Sequence, residues 1–193
     1  MKTILRLTFF ILILLPLASS AQTFRFKNYN TEKDGLYPYI YSIHQDPIGF
    51  LWLGTGEGLF RFDGINFREI QVRTGEGDNF INCGLNMGND INWFGYNNGS
   101  LAILNGKEVK KFLNNALSGA VTGLYKVNNS VYAFSQNGVT LVFDYDGNLL
   151  KNWTELTSDY IILSVAPFEK QKFLLGTDDG MYIADFNAGT MSP

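Results

Sequence analysis

Few residues in this sequence have the type and spacing that catalysis needs. His44 is the only histidine. A nucleophilic triad would require it beside a carboxylate and a serine hydroxyl, and the sequence places neither; the other reading is a polar strand position near the axis of the fold. Gly54-Thr55-Gly56-Glu57-Gly58 has the glycines of a phosphate loop. It lacks the Gly-Lys-Ser/Thr and the helix that such a loop needs. Asp178-Asp179-Gly180 suggests calcium, but without the spaced oxygen ligands of a loop site it reads as a turn. No His/Cys cluster offers a transition-metal site, so neither metal nor cofactor is expected. Cys83 is the single cysteine, which excludes an intrachain disulfide. Between Ile81, Leu85 and Met87 it reads as a buried, inert thiol. What remains is recognition. Tyr37, Tyr39, Glu57, Tyr96, Asn97, Asn98, Gln136, Asp178 and Asp179 set aromatic faces beside amides and carboxylates, a chemistry suited to stacking on a sugar and hydrogen-bonding its hydroxyls. A non-enzymatic binding protein is therefore expected.

The bulk composition agrees. The chain has 193 residues, 46% hydrophobic, 15% aromatic and only 17% charged, against an ordinary charged share of about 25%. There is ample apolar material for a core, which argues against disorder. Residues 1–6 are basic and residues 7–18 apolar, and Ser19 and Ala21 stand where a signal peptidase reads small side chains. Residues 1–21 are thus expected to be a cleaved secretory signal. Without Lys2 and Arg6 the 15 basic residues become 13, against 18 acidic, a formal charge of −5. That balance carries no electrostatic footprint for nucleic acid or for an anionic membrane.

The elements that must position the recognition residues come from a repeat. Trp52-Leu53-Gly54 precedes Gly58, Trp93-Phe94-Gly95 precedes Gly99, Tyr132-Ala133-Phe134 precedes Gly138, and Leu174-Leu175-Gly176 precedes Gly180. The closing glycines lie 41, 39 and 42 residues apart. A large aromatic on an inner strand fills the wedge between adjacent sheets, and the glycines allow close passage and a tight turn. Around each copy fall short alternating runs. They predict four strands in each of the first three copies, 40–45, 50–55, 59–63 and 66–72 in the first, and three in the fourth, with turn signals at Asp63-Gly64, Asn105-Gly106 and Asp146-Gly147. Four-stranded antiparallel sheets at a period of about 40 residues read as blades of a β-propeller. The fold class is all-β, with a propeller domain over 22–193 and blades at about 40–73, 80–113, 121–153 and 160–185. The fourth copy shows no outer-strand pattern, and residues 24–29 alternate ahead of the first copy, as an N-terminal outer strand. No helical period appears after residue 21. In a propeller, the loops between second and third strands share a rim with those that enter the next inner strand, and that rim collects the nine recognition residues.

The first copy, Tyr41-Ser42-Ile43-His44-Gln45-Asp46, Gly49-Phe50-Leu51-Trp52-Leu53-Gly54-Thr55, Gly58-Leu59 and Arg61-Phe62-Asp63-Gly64, resembles the two-component regulator propeller repeat. The match is close in copy one, partial in copies two and four, and poor in copy three. The resemblance implies a periplasmic or cell-surface sensor of a Bacteroidetes-type bacterium; the rim chemistry makes an oligosaccharide or polysaccharide the expected ligand. Family members carry more repeats, then a membrane helix and a kinase or DNA-binding output. Any kinase activity would therefore lie outside this chain, and the rest of the sensor would be its partner. The same resemblance admits a secreted or outer-membrane-associated propeller used for protein–protein interaction or assembly of secretion machinery. Four copies permit a closed four-bladed ring and equally a piece of a larger ring, and the family resemblance favours the larger one. The signal reading has a direct check: mass spectrometry of the exported protein should find Gln22 as its first residue, and retention of residues 1–21 would overturn it.

Overall fold

The computed structural model describes residues 26–37, 39–72 and 79–193. Among these residues sixteen strands form four separate antiparallel sheets, each ordered as its strands follow in the chain. Sheet one holds β1 (Ile40–Gln45), β2 (Leu51–Thr55), β3 (Leu59–Phe62) and β4 (Phe67–Ile70). Sheet two holds β5 (Ile81–Gly88), β6 (Ile91–Tyr96), β7 (Leu101–Asn105) and β8 (Glu108–Leu113). Sheet three holds β9 (Val121–Val127), β10 (Ser130–Ser135), β11 (Thr140–Phe143) and β12 (Leu149–Asn152). Sheet four holds β13 (Ile162–Glu169), β14 (Lys172–Thr177), β15 (Gly180–Asp185) and β16 (Thr190–Ser192). The predicted blade-like repeat is the observed architecture: an all-β propeller with four blades.

Strand alternation puts every second side chain on each face of a sheet, so both faces of an inner sheet must be covered. Trp52, Trp93 and Tyr132, the aromatics of the first three repeats, all turn to the sheet that follows. Trp52 meets Phe94 at 5.7 Å between ring centres, Trp93 meets Phe143 at 5.8 Å, and Tyr132 meets Phe173 at 5.4 Å. Each pair nucleates a seam. Leu59, Ile81 and Leu104 join the first. Leu101, Ile103, Val121 and Val131 join the second, and Phe134, Ile162, Leu175 and Phe186 join the third. Trp52 is 1% exposed and Trp93 is fully buried. The Trp52 indole N–H also donates to the buried Asp46 carboxylate at 2.9 Å. Polar ties cross the same seams: the Lys126 ammonium donates to the Met87 carbonyl, and the Tyr125 hydroxyl to the Val165 carbonyl.

The two end faces differ. On the outward face of sheet one, Leu53 and Phe62 are buried under Leu36 and Tyr29, with the Tyr29 ring edge-on to Phe62 and Phe67. Residues 26–37, including the single helical turn α1 (Thr31–Asp34), thus cap this end. On sheet four, Phe173, Leu175 and Ala184 pack toward sheet three. The register partners Leu174 and Ile183 therefore face outward, beside Met181 at 66% and Leu163 at 60% exposure. Among the described residues no core cluster joins sheet four to sheet one.

Three expectations need correction. Sheet four does have an outer strand, β16, paired to β15 through Ile183–Ser192, Ala184–Met191 and Asp185–Thr190. The pattern of residues 187–193 hid it because the hairpin is set by Asp185. Its carboxylate accepts the Asn187 and Ala188 amides, and Met191 packs into the third seam. Of the expected N-terminal outer strand 24–29, residues 26–29 are irregular, and 24 and 25 lie outside the described residues, as do 1–21. A helical turn, α2 (Thr154–Thr157), follows β12. It seats the buried Thr157 hydroxyl against Thr140 Oγ1 at 2.9 Å and the Gly138 carbonyl at 2.7 Å. The β3–β4 turn also differs in detail. Asp63 N–H bonds Asn66 O, so Gly64 and Ile65 are its central residues, with Gly64 at φ +94°. The Asp63 carboxylate caps the loop from the flank instead of occupying it.

Trp52→Ala should lower the unfolding free energy by about 3–5 kcal/mol in denaturant titration, the usual loss for a large core aromatic; a loss below about 1 kcal/mol would place Trp52 outside the core.

Candidate functional site

The rim on which the second strands end is built by a repeated backbone device. The amides of Asn97, Gln136 and Asp178 bond the carbonyls of Phe80, Ala120 and Ile161, at 2.9, 2.8 and 3.2 Å. This ties the end of the second strand to the entry of the inner strand in sheets two, three and four. A hydroxyl clip closes the following turn. Thr55 Oγ1 donates to Gly58 O and accepts the Glu57 and Gly58 amides. Thr177 Oγ1 donates to Gly180 O, and Ser135 Oγ accepts the Val139 amide. The Thr of Gly-Thr-x-x-Gly therefore holds a turn. Gly99 shows how tight the rim is: at φ +82°, a Cβ there would lie 1.8 Å from the Leu117 carbonyl oxygen.

On this scaffold the nine predicted residues fall into separate groups. The Tyr37 phenol pairs with the Glu57 carboxylate, and that bond holds the phenol above its ordinary titration range. The Tyr37 ring lies 6.3 Å from that of Tyr39, which is exposed. Glu57 and Tyr96 line one cavity of about 160 Å³ at the rim between sheets one and two. Its other polar walls are Glu69, Gln71 and Asn79, and the Gln71 amide donates to Glu69 at 2.7 Å. Tyr96 is 1% exposed, edge-on to Phe112. Glu69 and Gln71, on and just after the outer strand β4, and Asn79, two residues before β5, escaped the sequence reading because polar residues at such places look like ordinary surface. The rim loop 75–79 lies, except for Asn79, outside the described residues.

The remaining candidates are apart from this cavity. Asn98 Oδ1 accepts the Ser100 amide and Asp178 Oδ1 accepts the Ile161 amide, so both side chains stabilise local backbone. Gln136 is exposed and contributes its backbone to the rim ties. Asp179 accepts the Tyr182 hydroxyl at 2.9 Å, and Tyr182 stacks obliquely on Tyr160 with 4.7 Å between ring centres. The Asp179 hydrogen bond, followed by one to Tyr160, pushes the Tyr182 phenol up to about 12.

His44 lies in the first seam with Nε2 3.1 Å from Asn92 Oδ1. Cys83 faces the second seam, its thiol 3.8 Å from the Val121 carbonyl and pushed up to about 12 by burial. At that value it is a neutral, weakly reactive thiol at neutral pH. Among the described residues no three metal-ligating side chains gather, and no helix is long and apolar enough to cross a membrane.

The sequence matches no protein-family model and no curated protein. Solved structures are similar in fold. The extracellular domain of the hybrid two-component system BT3049 of B. thetaiotaomicron superposes over 86% of the chain at TM-score 0.69 and 18% identity. The extracellular domain of the system BT4673 of the same organism superposes over 80% at TM-score 0.62 and 19% identity. The WD40 propeller domain of Doa1 superposes over 79% at TM-score 0.62 and 13% identity. At these identities the likeness establishes the propeller fold. The chain spans 26% and 21% of the two extracellular domains and 52% of the Doa1 domain.

Asp179→Asn should return the Tyr182 phenol toward its ordinary value near 10. Ultraviolet titration between pH 9 and 11 should show Tyr182 protonated in the native protein and ionising in the variant. Identical titrations would remove Asp179 as the cause.

Proposed function

We propose that this chain is a ligand-sensing propeller region of an exported two-component sensor, acting in the periplasm or at the cell surface. Its ligand is a carbohydrate, met at the rim between sheets one and two. The observation that carries this reading is the cavity that brings Glu57 and Tyr96 together with the Glu69, Gln71 and Asn79 polar groups, beside the Tyr37–Glu57 pair. Carboxylate and amide oxygens there would accept from sugar hydroxyls, amide N–H groups would donate to them, and the Tyr37 and Tyr39 rings offer faces for C–H stacking. The fold likeness to extracellular domains of two-component systems supports the setting. The open outward face of sheet four supports a larger ring, in which a further sheet covers Leu174 and Ile183. Signal output would then belong to segments outside this chain, and the chain itself binds without catalysing.

The test is a melting-temperature screen of the purified protein against a panel of oligosaccharides. A ligand at a hundred times its Kd contributes about 2.7 kcal/mol, a rise of about 5–10 °C for a domain of this size. Glu57→Ala, at an exposed turn position, should abolish the rise while leaving the unliganded melting temperature within about 2 °C. Failure of every oligosaccharide to shift the transition would overturn the carbohydrate reading.

A further inference from the structure

The first seam contains a half-buried titratable group, its inner ring nitrogen out of reach of solvent, that the recognition site does not use. His44, on β1, turns toward sheet two, with its ring between Trp52 and Phe94 at 6.5 and 5.4 Å between centres. Gly84 of β5 leaves it room, since a Cβ there would stand 2.6 Å from Nδ1. Nε2 faces Asn92 Oδ1, which also accepts from the Asn86 amide. Nδ1 is buried and, among the described residues, has no hydrogen-bonding partner. The neutral ring fits this environment: one N–H to Asn92, and a bare nitrogen against glycine and aromatic carbon.

We propose that His44 makes the seam between sheets one and two an acid-sensitive joint, closed while the ring is neutral and loosened when it takes a second proton. The added proton would sit on Nδ1, where no acceptor faces it, and an unmet buried donor on a cation is costly. The aromatic neighbours compensate little. The Trp52 centre at 6.5 Å is beyond the roughly 6 Å reach of a cation–π contact, and Phe94 is a weaker partner than an indole. Two charged groups bear on this seam. Asp46 favours the imidazolium, but its oxygens already accept Trp52 Nε1 and the Ile48 and Phe50 amides. Arg61, paired opposite Trp52 on β3 with its guanidinium against the Phe50 ring, opposes it. On sheet two the facing residues Gly84, Asn86, Asn92 and Phe94 are uncharged. Cys83 turns to the other seam, and Asp90 stands on an exposed turn.

Burial, the largest influence, lowers the His44 value below its ordinary one, while the bond to Asn92 and the charge of Asp46 pull the other way. The direction sets the window. In the opened seam the ring titrates near 6.5, and in the closed seam below that, so between the two values the open form binds more protons. Closure is then complete above about pH 6.5 and is lost as pH falls through the closed-seam value. The rim cavity spans this same pair of sheets, so acid would disturb its walls as well.

Amide hydrogen exchange on the full chain between pH 7.5 and 5 tests the joint. Protection factors at Trp52, Leu53 and Phe94 should fall by up to about tenfold per pH unit within the window, the limit for one proton. Those at Phe134 and Leu175 in the third seam should stay level, and His44→Gln should abolish the fall. Equal behaviour of the two seams, constant protection throughout, or an unchanged fall in His44→Gln would each overturn the proposal. Should that variant fail to fold, nuclear magnetic resonance titration of the His44 ring in the unaltered protein decides. Its midpoint should lie below 6.5 and coincide with the loss of protection; a ring that titrates without that loss contradicts the joint.

Discussion

A four-stranded sheet has two faces, and strand alternation sends apolar side chains to both. No sheet in this protein can be stable alone, because burying one face leaves the other wet. Stacking resolves the constraint, and the rest of the structure follows from it. The repeat period is the length of chain that makes one sheet and returns to start the next. Trp52, Trp93 and Tyr132 on the first three second strands reach the following sheet, and their ring pairs at 5.4–5.8 Å join neighbouring sheets. The same constraint acts at the ends. Sheet one is sealed by Leu36 and Tyr29 from the preceding segment, whereas sheet four presents Leu163 and Met181 to solvent.

The seams were legible in the sequence because they depend on residue types that few other positions tolerate. Trp52, Trp93 and Tyr132 recur at the sheet period, and glycines such as Gly99 mark places where backbone passes too closely for a Cβ. Leu174 occupies the same repeat position, half-buried on the outward face of sheet four. What escaped the pattern was short-range turn chemistry. β16 is only three residues, positioned by the Asp185 carboxylate, and α2 is one turn positioned by the Thr157 hydroxyl. Neither has a hydrophobic period to read. Gly64 likewise takes the first central place of its hairpin, one residue later than the Asp-Gly pair suggests, because the Asp63 carboxylate is better used capping the loop amides.

The recognition residues were legible as a set but not as a site. Rim topology placed all nine on connections, yet a polar side chain beside a tight turn has two uses: holding the turn or meeting a ligand. Asn98 and Asp178 are committed to backbone amides. Glu57 is paired with Tyr37 and shares a cavity wall with Tyr96. Only the three-dimensional pairing separates these roles, since the residue types are alike. The buried polar groups divide the same way. Asp46, just past β1, is satisfied three times over and fixes Trp52, while His44 two residues earlier keeps one nitrogen unmet among the described residues.

The central claim, that aromatic contact between neighbouring sheets is what holds this chain together, is tested most directly by a double-mutant cycle. Trp52→Leu and Phe94→Leu, made singly and together and compared by equilibrium denaturation, isolate the coupling across the first seam. The account predicts a coupling of about 0.5–1.5 kcal/mol, the range for aromatic pairs in such geometry. The distant pair Trp52 and Phe173 should be additive to within about 0.5 kcal/mol. Additivity of Trp52 and Phe94 within that same margin would show that the two sheets are held by something other than this seam, and would contradict the account.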